Sequence, residues 1–523
     1  MEGSIQQKES KKKNNKIIPI VVAVAVILIA GIITVTALQN TSGKEDYFLA
    51  EKNTVEQLES AFKERYEDEL LWLEHSEENA IESTLEITGQ VNAPELASMG
   101  YDQIINNANI TIESAIDKKE KVSSANISAG FSGIELSGIE GYINGNELYV
   151  GLPFLNDIIQ LNGEDLGRIL HEIDPSSFTG EEKIDFTDFF TNSSLVTEDV
   201  EYLKEEYVDY LYKEIPEDAF ESESEKVSIN SNDVTTEKIT FHLSEEELRT
   251  ILQNLFNKMA EDERLREIII DQATYMNFAS VELAETELAT FEEDFVSELE
   301  LAADRIQDVA FPDGFTSVIW VNDGIIVKRD LSLTAENVDN TTTGGIRIEG
   351  TNAVTDNEQQ IDYTVTVTED DTEESINFSA DLSHQDGETN DIITLSMDDV
   401  NIVIEANQSG LEDGGKSFER MLSFEEAGAN NIALHWLGET NYEEDQMTAD
   451  HTFFVEDGMT INQDTISIFV KETGSTIDKV EVPSPDQVKN LSEMSGDEII
   501  EYFETDVMSQ LEGWMMNLMG PGI

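Results

Sequence analysis

Cysteine is absent from all 523 residues. That removes disulfides, thiolate metal sites, cysteine nucleophiles and a thiol-linked lipid anchor together. Positive charge is the next scarcity: 31 Lys and Arg stand against 110 Asp and Glu, for a formal net charge of −79. A surface of that sign repels phosphates and anionic headgroups, so nucleic-acid binding is excluded as a function class. Catalytic signatures are missing as well. The six histidines, His75, His171, His242, His384, His435 and His451, show no H-E-x-x-H or other paired spacing for zinc. No G-x-S-x-G elbow places a serine nucleophile, and neither a G-x-x-x-x-G-K-[ST] loop nor a G-x-G-x-x-G turn is present for nucleotides. Carboxylates are so numerous that a glycosidase-like pair has no meaning by count alone. The sequence assigns no catalytic residue, no metal ligand and no cofactor.

What the chain does have begins with its longest apolar run. Residues 1–16 carry five lysines against Glu2 and Glu9, a net +3, and the uncharged stretch from Ile17 to Leu38 follows directly. About 20 helical residues cross a bilayer core about 30 Å thick, and positive flanks stay cytoplasmic. The expectation is therefore a cytoplasmic basic tail (1–16), a transmembrane anchor contacting the lipid bilayer (17–38) and an extracellular remainder carrying −82. The alternative is a signal peptide cleaved after Val35-Thr36-Ala37, but signal cores are shorter, about 7–15 residues, so an uncleaved single-pass signal anchor is preferred. The acidic remainder reads as a solvated surface suited to a saline or alkaline exterior, or else as a weak cation-binding or basic-partner surface. At 39% hydrophobic residues it has material for real cores.

After a polar linker at 39–53, Thr54 and Gln57 suggest a capping box opening a helix with Val55, Leu58, Phe62 and Leu70 near one face. From about Ser83 to Leu243 the period shifts toward two. Asn144-Gly145 between Tyr142-Ile143 and Leu148-Tyr149-Val150 predicts a hairpin with a type I′ turn, and Gly130, Gly133, Gly138 and Gly141 predict bulges or curvature. Helical patches are expected at Leu166–Ile173 and Tyr202–Tyr212, and strands near Val227–Ile229 and Lys238–Leu243. A helical block follows, opened by a capping box at Ser244 and Glu247, with a later helix carrying Leu288, Phe291, Phe295, Leu299, Ala302 and Ile306 at steps of three and four. Beyond Pro312 and Gly314, residues 315–482 again alternate, with Asn322-Asp-Gly324 marking a second hairpin. A final helix aligns Ile500, Phe503, Val507, Leu511, Trp514 and Leu518. The expected fold class is α+β: an N-terminal transmembrane helix, then curved antiparallel sheets in two β-rich stretches with long amphipathic helices packed on them. The expected regions are 54–310, with its helical block, and 311–523, with its C-terminal helix. A twofold architectural repeat is compatible with this order.

Helices lying against curved sheets can enclose an apolar cleft, and Phe291, Phe295 and Trp514 are the candidate residues for its walls. The acidic loops Glu369-Asp370-Asp371 and Glu443-Glu444-Asp445 lack the order of an EF-hand and read as charged turns.

Lys11-Lys-Lys13 before the apolar span, the helix from Thr54, and Gly141-Tyr-Ile-Asn-Gly-Asn-Glu-Leu-Tyr-Val150 leading into Gly151-Leu-Pro153 carry a resemblance. The chain resembles uncharacterised single-pass, membrane-anchored extracellular proteins of Gram-positive, Bacillus-like bacteria. The lack of disulfides in an oxidising exterior agrees with a bacterial source. Its architecture is also loosely similar to lipoprotein-carrier folds, although the lipid-bearing cysteine of some carriers is missing. With the anchor and the expected apolar cleft, the preferred reading is a membrane-tethered, non-enzymatic module at the cell membrane that binds an envelope protein or a hydrophobic ligand. The alternatives are an extracellular enzyme acting on an envelope solute or polymer, and a structural spacer.

Overall fold

The computed structural model describes residues 42–519 apart from 132–133, 191–196, 279–284, 338–342, 356, 371, 413, 429–430 and 484–487. The basic tail 1–16 and the apolar run 17–38 lie outside the described residues. Among those residues twenty-one strands dominate, and no helix is long and apolar enough to cross a membrane. The expected α+β fold led by a transmembrane helix, and the single-pass cell-membrane localisation drawn from it, are corrected to a mainly β architecture in which helices play the supporting part. Two-residue alternation and short turns put more of the described residues into strands, of up to 14 residues, than into helices.

The chain forms two compact units, Met1–Ser60 with Ser193–Ser379 and Ala61–Asn192 with Ala380–Ile523. This interleaved division cuts across the expected regions 54–310 and 311–523.

In the first unit, an antiparallel sheet runs in the order Phe220–Ile229, Asn232–Leu243, Phe315–Asn322, Ile325–Asn337, Thr343–Val354 and Glu358–Glu369. The predicted hairpin at Asn322 is present. Its turn residues Asp323 and Gly324 have φ of 50° and 82°, and a type I′ turn requires both to be positive. The helix expected from Thr54 starts at Gly43, so the stretch read as a linker is helical from there. Tyr47, Phe48 and Ala50 are all buried, and that burial holds the early turns. Thr54 therefore sits inside the helix rather than capping it. Its hydroxyl donates to the Ala50 carbonyl at 2.7 Å and accepts from the Ile326 amide at 2.9 Å, tying the helix to the hairpin. Phe220 stacks on Phe241 at 4.5 Å, and Tyr47 meets both rings edge-on or tilted at 5.5 Å. Across this core Glu51 pairs with Arg329, both side chains nearly inaccessible. The helix Glu245–Glu261 starts at the expected Ser244–Glu247 capping box and buries Leu248, Ile251, Leu252, Leu255 and Phe256.

In the second unit the antiparallel order is Glu388–Met397, Val400–Gly410, Lys416–Glu426, Ile432–Tyr442, Gln446–Glu456, Ile466–Thr476, Ile81–Val91, Ala108–Asp117, Val122–Phe131, Ile134–Asn144, Glu147–Gly151 and Ile158–Asn162. Val488–Asn490 then adds in parallel to Ile158–Asn162. The hairpin expected at Asn144-Gly145 is displaced by one residue: the turn is Gly145-Asn146, with Asn144 paired to Glu147. Gly145 has φ of 59° while Asn146 has no positive φ, so this is not the predicted type I′ turn. A register shift between Ile127 and Ala129 supplies a bulge beside Gly130. The C-terminal helix is interrupted by a π turn at Tyr502–Val507.

Candidate functional site

Antiparallel partners point to the same side of a sheet, so the register of the second unit sorts its strands into two faces. One face carries Leu395, Ile402, Phe424 and Ile432 in one row, and Ile393, Ile404, Leu422, Leu434 and Val455 in the next. The following row brings Asp391, Ala406, Arg420, Trp436, Phe453 and Ile468 together. Helical residues from 61 onward cover part of this face. Arg65 holds Asp391 through Nε at 2.7 Å and Nη2 at 3.1 Å. The Arg420 guanidinium lies over the rings of Trp436, Phe418 and Tyr66 at 4.5, 4.7 and 5.3 Å. Lys416 reaches Asp68 and Glu69. Trp72 occupies the space above Gly474, where an added Cβ would sit 2.9 Å from its ring.

The rest of that face is open. Ile404 is 43% exposed, Phe424 48%, Ile432 52% and Leu434 46%, with Leu395, Val455 and Ile468 exposed beside them. Scattered exposed apolar residues are ordinary, but side chains made neighbours by strand register form a continuous patch, which is the form interaction surfaces take. The opposite face is mixed, with Ile392, Met421 and Phe454 in one row alongside Glu405 and His435. It carries a groove of about 640 Å³ lined by Glu388, Asn390, Asn407, Glu419, Glu439 and Thr452.

A second concavity lies in the first unit, between the Thr197–Leu203 and Asp209–Glu214 helices and the end of Glu245–Glu261. The Tyr202 and Tyr207 hydroxyls donate to the two carboxylate oxygens of Asp262, at 2.7 and 2.5 Å. The Leu265 amide adds a third bond at 2.9 Å. Burial and the adjoining carboxylate push the Tyr202 phenol up to about 12, and burial chiefly drives Tyr207 higher still. Burial works against the Asp262 charge, yet the phenol and amide donors hold its carboxyl below the usual range.

The residues proposed for an apolar cleft are distributed between the units. Phe291 and Phe295 stack at 6.5 Å on the Glu285–Arg305 helix of the first unit. Phe295 packs against the core there, whereas Phe291 is 42% exposed. Trp514 belongs to the second unit, where it meets Phe154 at 6.0 Å. The structure thus brings two of the three together. The histidines stay dispersed in separate contacts: His435 stacks on Phe454 at 4.4 Å, and His451 accepts from Trp436 Nε1 at 3.2 Å. Among the described residues no group of three or more His, Asp or Glu side chains is arranged to hold a metal ion.

No family model and no curated protein matches the chain. Among solved structures it is similar to OccAB2 of Acinetobacter baumannii, at 6% identity over 76% of this chain and 97% of that one, with a TM-score of 0.23. It is also similar to the translocation pore of the P pilus usher PapC, at 7% identity over 72% and 62% of the two chains, with a TM-score of 0.19. The outer membrane protein OmpT of Vibrio cholerae, in its in-vitro folded form, gives 8% identity over 76% and 96%, with a TM-score of 0.16. These neighbours are membrane proteins, and likeness at such scores assigns this chain neither a fold family nor a function.

Proposed function

We propose that the chain is a non-enzymatic binding module that takes a hydrophobic, acyl-chain-like ligand on the open apolar face of its second unit. The observation that supports this reading is the register itself, which makes Ile404, Phe424, Ile432 and Leu434 neighbours on one face while leaving each of them about half exposed. Water contact over such a patch is unfavourable by about 25 cal/mol for each Å² that a ligand would cover, so any apolar molecule that fits gains from lying there. The opposite face interrupts its apolar residues with Glu405, Glu419 and Glu456, so it offers a less continuous apolar surface.

The test uses the full chain and a neutral dye, Nile red, because the −79 charge would repel an anionic probe. The dye should bind saturably, and organic extraction of the purified protein followed by mass spectrometry should release acyl-chain material. Ile432→Asp and Leu434→Asp should each weaken dye binding about tenfold, equivalent to about 1.4 kcal/mol, with the melting temperature nearly unchanged because both sites are exposed. If no ligand is extracted, no dye saturates and both variants bind as the parent does, the hydrophobic-ligand reading fails. Retained dye binding with no extracted lipid would instead identify the face as a contact for the apolar surface of a partner protein.

A further inference from the structure

We infer that the first unit carries a separate binding site for a neutral saccharide, in the concavity of about 700 Å³ bordered by Tyr202, Tyr210, Asn254, Asn257, Lys258 and Asp262. The site is built by an irregularity of the backbone. Lys204–Val208 forms a π turn between two α-helical segments, and its i to i+5 repeat brings residues five apart onto one side. Tyr202 and Tyr207 are five apart, and their hydroxyls close on the two oxygens of the same Asp262 carboxylate. In an unbroken α-helix those side chains would diverge. The π turn thus yields a rigid, hydrogen-bonded wall rather than a loose surface, as π turns at functional sites often do.

The opposing wall is polar, and among the described residues its Asn254 and Asn257 side chains make no internal hydrogen bond. Asn254 and Asn257 stand one helical turn apart and exposed on Glu245–Glu261. Each side-chain amide combines donor and acceptor groups, the combination that recognises the hydroxyl groups of a sugar ring. Tyr210 supplies aromatic surface for the apolar C–H side of such a ring.

Charge narrows the ligand class. Lys258 is paired with Glu206 and lies over the rings of Tyr207 and Tyr210 at 5.3 and 5.7 Å. Arg264 is paired with Asp199 and Glu267. Both cations bordering the concavity are thus neutralised by neighbours, so a phosphate or sulfate would have to displace a carboxylate to gain an ion pair. The absence of a metal-holding cluster among the described residues leaves a divalent cation no set of ligands. A neutral, polyhydroxylated molecule satisfies the amides, phenols and aromatic surface without disturbing either pair.

The experiment titrates the full chain by calorimetry with two neutral probes, chitotetraose and cellotetraose, and with an anionic one, a heparin tetrasaccharide. At least one neutral probe should bind saturably with a millimolar or tighter constant, and the anionic probe should not bind. Asn257→Ala and Tyr210→Ala should each weaken that binding tenfold or more while leaving Nile red affinity unchanged, which separates this site from the apolar face. Should Tyr210→Ala lower the melting temperature, Asn257→Ala carries the test, since its side chain is exposed and its removal leaves the core intact. Absence of saturable binding by both neutral probes up to about 10 mM, preference for the anionic probe, or neutral binding unaffected by Asn257→Ala would each overturn the inference.

Discussion

Arg329 and Glu51 occupy the centre of the first unit as an ion pair with little access to water, and Arg65 and Asp391 form a two-pronged pair in the second. Removing one member strands a buried charge, which costs about 3–5 kcal/mol, whereas replacing both by apolar groups of similar volume can be neutral. Arg329→Met should therefore lower unfolding stability by about 3–5 kcal/mol in a denaturant titration, and the double change Arg329→Met with Glu51→Leu should recover most of it. Asp457 gives a contrasting prediction at the surface. Its carboxylate accepts from the Ile461, Met459 and Thr460 amides, which hold its carboxyl down at about 2, against about 3.9 in an unfolded chain. A lowered carboxyl stabilises its turn above the unfolded value, and that support disappears as pH falls from about 4 through about 2. A carboxyl-carbon NMR titration should place the Asp457 midpoint near 2, and Asp457→Asn should abolish the pH dependence of the 457–461 amide shifts. A midpoint near 4 would mean those amide bonds do not form in solution.

Helices show at the next scale which features sequence periodicity can and cannot reveal. Ser244 was legible because capping needs only a hydroxyl and a glutamate three residues on, and Ser244→Ala should cost about 1 kcal/mol in equilibrium unfolding. The C-terminal helix was misphased. A 3.6-residue period aligns Ile500, Phe503 and Val507, but the buried residues are Ile499, Tyr502 and Val507. The π turn at Tyr502–Val507 inserts one residue per turn, and no residue type marks it in advance. Tyr502→Ala should accordingly destabilise the protein by about 3 kcal/mol, with Phe503→Ala costing far less; equal costs would restore the simple periodicity. Asp323-Gly324 was readable because an I′ turn demands two residues that tolerate positive φ. Thr54 was misread because a hydroxyl before a helical pattern looks like a cap, while burial of Tyr47 and Phe48 extends the helix earlier. The open apolar face was half legible. Alternation in Phe418–Phe424 and Ile432–Trp436 reports that one side is apolar, but local sequence does not say whether another element covers it. The Tyr202–Tyr207–Asp262 cluster had no sequence signal beyond a helical patch, since its geometry depends on a π turn and on a carboxylate some 55 residues away.

At the scale of the molecule, the charge of −79 must be carried by a folded surface whose exposed ion pairs contribute little individually. Screening lengths fall from about 30 Å at 0.01 M salt to about 8 Å at 0.15 M, so like-charge repulsion weakens over that range. Melting temperature should rise between those two concentrations of NaCl; a flat or falling curve would show that local pairing already compensates the charge. The second unit has a further property, set by its pairing of Ile81–Val91 with Ile466–Thr476, in which Ile81 lies opposite Thr476. Its other neighbour, Ala108–Asp117, is local. During synthesis at about 5–20 residues per second, the Ile81–Val91 edge waits roughly 20–75 s for its distant partner. Throughout that interval a nascent chain on the ribosome presents an unsatisfied row of backbone donors and acceptors, flanked by apolar side chains, to every other strand in its surroundings. Soluble yield is therefore set by a race between translation and misassociation, in which a chaperone that covers the waiting edge raises the yield and a slowly translating host, by lengthening the interval, lowers it, without altering the finished molecule.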